Sequence, residues 1–106
     1  MAEDLGNARR KAGPRPLVQV VWTKRALADL EAIRAYIGLF SPLAAQRYAL
    51  RLFNAANALD ESPLRGRVIP KGRRELATIA PYLIRYRIKG DVVEIITIRH
   101  GARAPD

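Results

Sequence analysis

The sequence predicts an α+β domain: an N-terminal strand, an antiparallel hairpin of two helices, then a three-stranded antiparallel meander, with the helices packed on one face of the sheet. Three observations carry this expectation. The stretch from Arg73 to Arg103, RRELATIAPYLIRYRIKGDVVEIITIRHGAR, holds three β-prone runs, Glu75 to Ile79, Tyr82 to Ile88 and Val92 to Ile98, separated by Ala80-Pro81 and Lys89-Gly90-Asp91. The middle of the chain instead repeats its apolar residues at helical spacing. Only Gly38 to Ser41 separates the two helical stretches, a connection short enough to make them antiparallel neighbours.

Met1 to Pro16 carries Gly6, Gly13, Pro14, Pro16 and scattered charges without any period, and reads as a disordered basic extension before a single domain over residues 17–103. Leu17 to Trp22, LVQVVW, is a short β-branched run and reads as the first strand. Thr23 then supplies an N-cap for a helix to about Leu39, with Ala26, Leu27, Leu30, Ile33 and Ile37 on its apolar stripe and Lys24, Asp29, Glu31 and Arg34 on the other face. Ser41-Pro42 repeats the start signal for a second helix to about Leu59, whose stripe is Ala45, Tyr48, Ala49, Leu52, Ala56 and Leu59. Asp60 to Gly72, with two prolines and two glycines, reads as a loop.

The first strand has no hairpin partner beside it in sequence, so it joins the sheet by a crossover through both helices. In the run from Tyr82 to Ile88, Tyr82, Ile84, Tyr86 and Ile88 point one way while Leu83, Arg85 and Arg87 point the other. Val93 and Ile95 alternate with Val92, Ile96 and Ile98 in the final run, apolar on both faces as a central strand requires. Trp22, Tyr36, Tyr48, Tyr82 and Tyr86 sit at core spacing and read as packing residues. Residues 104–106 form a short tail.

A chain of 106 residues, 49% hydrophobic and 27% charged, has room for one small core. Nineteen Lys and Arg against 10 Asp and Glu give a formal net charge of +9, which points to a polyanionic partner. Without cysteine, disulfides, thiolate metal sites and Cys nucleophiles are excluded, and one histidine does not build a His-based metal site. No cofactor is expected. No apolar run approaches membrane-spanning length, so the expected location is the cytoplasm, away from membranes.

WTKRALADLEAIRAYI, then SPLAAQRYALRLFNAANALDESPLRGR, then the terminal meander together resemble the RelE/ParE superfamily of toxins from bacterial type II toxin–antitoxin modules, in particular its ParE-like plasmid-stabilisation branch. The resemblance spans Leu17 to Arg103. Its most specific parts are Trp-Thr-x-x-Ala-x-x-Asp-Leu at Trp22 to Leu30, Pro-Leu-x-Gly-Arg at Pro63 to Arg67, and His-Gly-Ala-Arg at His100 to Arg103. It implies a cognate antitoxin whose acidic or amphipathic C-terminal segment covers the toxin in a hetero-oligomer. It also implies one of two activities: inhibition of DNA gyrase by binding, as in ParE-like members, or ribosome-dependent mRNA cleavage, as in RelE-like members.

RNA cleavage through a ribose 2′-hydroxyl needs a base, an acid and cations for the phosphate. By resemblance, the basic residue that RelE-like enzymes carry in a Tyr-Arg-Leu-Val-Tyr type strand falls at Leu83, and no tyrosine follows Arg103. The set left for a ribonuclease is His100, Arg103 and Arg74, and the reading leans to a toxin that acts by binding. A third possibility is a non-toxic basic module that binds nucleic acid. His100 reads either as a general acid or base beside Arg99 and Arg103, or as a strand-end residue that caps the sheet or meets the antitoxin. Arg65, Arg67, Lys71, Arg73 and Arg74 form a dense basic loop, a candidate contact for target or antitoxin. Arg85, Arg87, Arg99 and Arg103 join that candidate set. Glu75 and Glu94, on strands rich in cations, read as partners in cross-strand ion pairs.

Overall fold

The computed structural model describes residues 18–101. β1 (Gln19–Trp22) leads through Thr23 into α1 (Lys24–Gly38), which turns into α2 (Pro42–Asn57) and a 3₁₀ turn (Ala58–Asp60). β2 (Arg67–Ile69), β3 (Arg73–Ile79), β4 (Tyr82–Lys89) and β5 (Val92–His100) follow. They form one five-stranded sheet in the order β1-β5-β4-β3-β2, with β1 parallel to β5 and the other neighbours antiparallel. The extension before Pro16, Leu17, Arg103 and the tail lie outside the described residues.

Both helices start where the sequence places them. The Thr23 hydroxyl accepts the Ala26 amide at 3.0 Å, and the Ser41 hydroxyl accepts that of Ala44 at 3.1 Å with Pro42 in the first turn. Thr23 also ties α1 to the sheet: its hydroxyl donates to the carbonyls of Ile95 and Ile96, and its amide donates to Ile95. The crossover predicted for the first strand is therefore present, and β5 is the central strand between β1 and β4. Gly90, at φ 62°, makes the β4–β5 turn in the left-handed region that glycine enters without a Cβ penalty.

The core lies between the hairpin and one sheet face. Leu52, Ala56 and Leu59 meet Leu76, Ile84, Tyr86, Val93, Ile95 and Ile98 there, all buried. Trp22 closes one side, stacked on Phe53 at 5.5 Å between centroids and donating its indole N–H to Asn57 at 3.1 Å.

The structure differs from the sequence reading in four places. Part of the expected Asp60 to Gly72 loop is a strand: Arg67–Ile69 pairs with Arg73–Glu75 and makes the meander four strands long. Gly66 and Pro70 flank too short a run for alternation to show. Ile98 faces the core with Ile95 because the β4–β5 register shifts between Arg85 and Tyr86, where a bulge adds one residue and resets the alternation. Asp29 does not lie on a solvated helix face. Its carboxylate accepts the Thr97 hydroxyl at 2.5 Å and the Ile98 amide at 3.1 Å. Tyr36 and Leu27 are 58% and 49% exposed, so neither is a core residue.

Candidate functional site

On the sheet face away from the helices, a charged network grows from one buried carboxylate. Glu75, 4% exposed, accepts hydrogen bonds from Arg67 at 2.7 Å and from Arg85 at 2.8 Å. Burial pushes its carboxyl up, but the hydrogen bonds and charges of Arg85 and Arg67 outweigh that and leave it below the usual carboxylate value. Arg87 pairs with Glu94 farther along the same face at 3.3 Å. The expected cross-strand pairs therefore exist, with Arg67 and Arg85 as the partners of Glu75 and Arg87 as that of Glu94.

Beside Glu75 a cleft of about 380 Å³ opens between β2, the β2–β3 turn and β3, lined by Arg67, Ile69, Lys71, Arg73, Glu75 and Arg85 among others. Four cations and one carboxylate face it. Lys71 has φ 69°, a left-handed conformation uncommon for a residue with a side chain. The Arg73 Nε is buried without a hydrogen-bond partner, the one such side-chain atom among the described residues.

The other basic-loop residues do different work. Arg74 points to the opposite face and donates to the carbonyls of Leu64 at 3.3 Å and Gly66 at 2.8 Å. The Tyr86 hydroxyl grips the same loop, donating to the Pro63 carbonyl at 2.7 Å and accepting the Gly66 amide at 2.8 Å. A Cβ on Gly66 would sit 2.7 Å from the Tyr86 ring, so only glycine lets the loop come this close. The Pro-Leu-x-Gly-Arg motif thus acts as a staple between loop and sheet. Arg65 is exposed beside it.

At the far end of β5, His100 pairs with Tyr82 across the ladder and their rings meet edge to face at 5.5 Å. Tyr48 of α2 meets Tyr82 in the same way at 6.0 Å. A second cleft, of about 390 Å³, separates α1 from this end of β5, lined by Asp29, Ile33, Tyr36, Tyr82, Ile98 and His100 with Ala32 and Arg99. Arg99 stands opposite Leu83, on the sheet face away from that of Tyr82 and His100. Arg74 pairs with Tyr86, four residues along β4 from Tyr82, which at the usual strand rise is about 13 Å. The structure therefore gathers Arg67, Lys71, Arg73 and Arg85 at one cleft, leaves Arg99 and His100 outside it at the end of β5, and turns Arg74 inward.

A third feature is apolar, and the sequence reading missed it. Tyr36, Leu39, Phe40 and Leu43 surround the turn of the helical hairpin at 58%, 78%, 74% and 57% exposure. Tyr36 and Phe40 meet edge to face at 5.5 Å, and Tyr36 also lines the cleft beside His100, so the patch and the cleft are continuous. Leu39, Phe40 and Leu43 sit outside both helical stripes, the available signal that they are not core. Among the described residues no group of three or more His, Cys, Asp or Glu side chains could hold a metal ion, and no helix is long and apolar enough to cross a membrane.

Residues 20–105 match the family model for the ParE toxin of the type II toxin–antitoxin system parDE. Toxin RelE2 of Caulobacter vibrioides is 60% identical over 87 residues, 82% of this chain and 99% of that protein. Putative toxin Y4kP of Sinorhizobium fredii is 43% identical over 85 residues, 78% of this chain and 88% of that one. The solved chromosomal ParDE toxin–antitoxin system from P. aeruginosa includes a chain that superposes with a TM-score of 0.69 at 27% identity, covering 79% of this chain and 96% of that one.

Proposed function

Because the chain belongs to the family of ParE toxins of type II toxin–antitoxin systems, we propose that it arrests growth by binding DNA gyrase in the cytoplasm and is silenced by an antitoxin seated on its hairpin end. The observation that supports binding over RNA cleavage is the dispersal of the ribonuclease set. Leu83 faces Arg99 where a phosphate-stabilising cation is wanted, His100 is on the opposite face, and Arg74 is bonded to two loop carbonyls. General acid–base catalysis needs its groups within hydrogen-bond reach of one scissile bond. A toxin that acts by occupying its target needs no such convergence.

The antitoxin reading draws on the apolar patch. Tyr36, Phe40 and Leu43 provide aromatic and aliphatic anchors, and exposed Arg47 follows Leu43 one turn along α2. An acidic amphipathic segment matches both features, with its apolar residues over the patch and its carboxylates towards Arg47. The cleft between α1 and β5 continues from Tyr36 and gives such a segment a second anchoring point.

The test is supercoiling of relaxed plasmid by gyrase with the purified toxin, with and without excess antitoxin. Inhibition that antitoxin reverses is the expected result. Intact supercoiling by a toxin that still arrests growth would overturn the gyrase assignment. The RelE2 name of the relative at 60% identity makes the ribosome the next target to examine; there, cleavage of mRNA that is lost in His100→Ala would identify an enzyme.

A further inference from the structure

We propose that the cleft between β2, the Lys71–Gly72 turn and β3 binds a phosphate group of a nucleic-acid strand, with the Arg73 guanidinium and the Lys71 ammonium as its cationic contacts. The site goes beyond the gyrase- and antitoxin-binding reading: its Lys71 and Arg73 lie at the β2–β3 turn, towards the other end of the sheet from His100, while Arg85 at its inner edge is two residues from Leu83 on the same face of β4. Three observations meet there. The cleft of about 380 Å³ is lined by four cations and one carboxylate. That carboxylate, Glu75, is saturated by Arg67 and Arg85, which fixes those two guanidinium groups and leaves Lys71 and Arg73 without an ion pair within the described residues. Arg73 is half-buried, and its Nε–H finds no acceptor.

A guanidinium is planar, permanently charged and a donor of five N–H groups; left partly unsatisfied, it is a receptor for an oxyanion rather than a closed structural contact. The identity of the anion follows from the charge left over. Four cations against one carboxylate leave three positive charges at one opening, which suit a group that spreads its charge over several oxygens, whereas a single carboxylate balances one of them. Lys71 is held in the left-handed conformation at the turn, which fixes where its side chain leaves the backbone. Exposed Lys89, beyond the Arg87–Glu94 pair on the same face of β4, extends the positive field along which a strand's further phosphates lie.

The direct test is to follow the Arg73 Nε–H resonance of the full-length toxin by NMR during titration with a short single-stranded oligonucleotide, with the duplex, with ATP and with inorganic phosphate. A saturable shift with the oligonucleotides is expected, and a shift confined to ATP or inorganic phosphate would replace the polymer by a free nucleotide or ion. Fluorescence anisotropy then compares Arg73→Gln and Lys71→Asn with Lys24→Gln, which removes the same charge at the exposed start of α1. Each cleft variant should weaken oligonucleotide binding by about tenfold and lower the slope of log K against log salt by about one. Lys24→Gln should do less. The proposal is overturned if all three variants lose the same affinity, which would indicate a diffuse charge effect. It is equally overturned if the Nε–H resonance stays unmoved by every phosphate probe, or moves only with an acidic antitoxin peptide. The NMR arm needs no variant, so it remains decisive if Arg73→Gln fails to fold.

Discussion

Glu75 shows at the scale of one residue how much of this sheet face is electrostatic. A carboxylate 4% exposed is tolerated because two guanidinium groups meet it, and removing the charge leaves half-buried Arg85 facing a neutral amide. Glu75→Gln should cost about 3 kcal/mol in urea unfolding at pH 7; a loss below a few tenths would mean that the network contributes nothing net. Its carboxyl is held below the usual 4.5, so the stability it provides is fully present above that value and is lost as pH falls through the depressed folded value. The unfolding free energy of the wild type should therefore drop more steeply than that of Glu75→Gln as the pH is lowered from 5 to about 3. Tyr86→Phe makes the complementary case for an uncharged group. It strands the Gly66 amide and the Pro63 carbonyl in a buried site and should cost about 1–3 kcal/mol, with the β2 amides exchanging faster while those of β5 do not. Equal protection of β2 in both proteins would mean that the hydroxyl does not hold the loop.

Elements in this fold are joined by side chains that the sequence displays but does not explain. The strand and helix periods were legible, since Thr23, Ser41-Pro42 and Lys89-Gly90-Asp91 are local signals for caps and turns. β2 was not, because three residues between Gly66 and Pro70 carry no measurable alternation and its place is held by side chains of other strands, Arg74 and Glu75 on β3 and the more distant Tyr86 on β4. The bulge that turns Ile98 inward was hidden for a similar reason: an apolar run looks the same in either register. Asp29 illustrates a helix residue whose partner comes from another element. β1 ends opposite Ile95, and beyond it the edge of β5 is covered by α1, with the Asp29 carboxylate accepting Thr97 and Ile98 where a further strand would otherwise pair. Asp29→Ala should cost about 2 kcal/mol and speed hydrogen exchange at the Ile98 amide, whereas Asp29→Asn keeps one acceptor and should lose less. The candidate site was legible to the extent that its cations were named from the sequence. Their division between a cleft, a loop staple and a strand end was not, because face and pairing in a sheet depend on register.

For the molecule as a whole, the positive charge is spread over the chain while Tyr36, Leu39, Phe40 and Leu43 form one patch at the hairpin turn, and that sets how it should meet its antitoxin. The net charge of +9 acts at a distance, while Tyr36, Leu39, Phe40 and Leu43 act only on contact. An acidic partner is therefore drawn in by the whole cationic field but held by a small apolar area. The two contributions separate in kinetics. As ionic strength rises from about 0.02 to 0.5 M the Debye length shrinks well below the size of the molecule, so the association rate with antitoxin should fall by about tenfold or more while the dissociation rate changes little. Phe40→Asp, at a position 74% exposed and thus harmless to the fold, should raise the dissociation rate by about tenfold and leave the association rate within a factor of about two or three. Surface plasmon resonance with immobilised antitoxin reads both rates in one series. A dissociation rate that rises steeply with salt, together with no effect of Phe40→Asp, would put the holding contacts on the charged sheet face and move the antitoxin away from the hairpin.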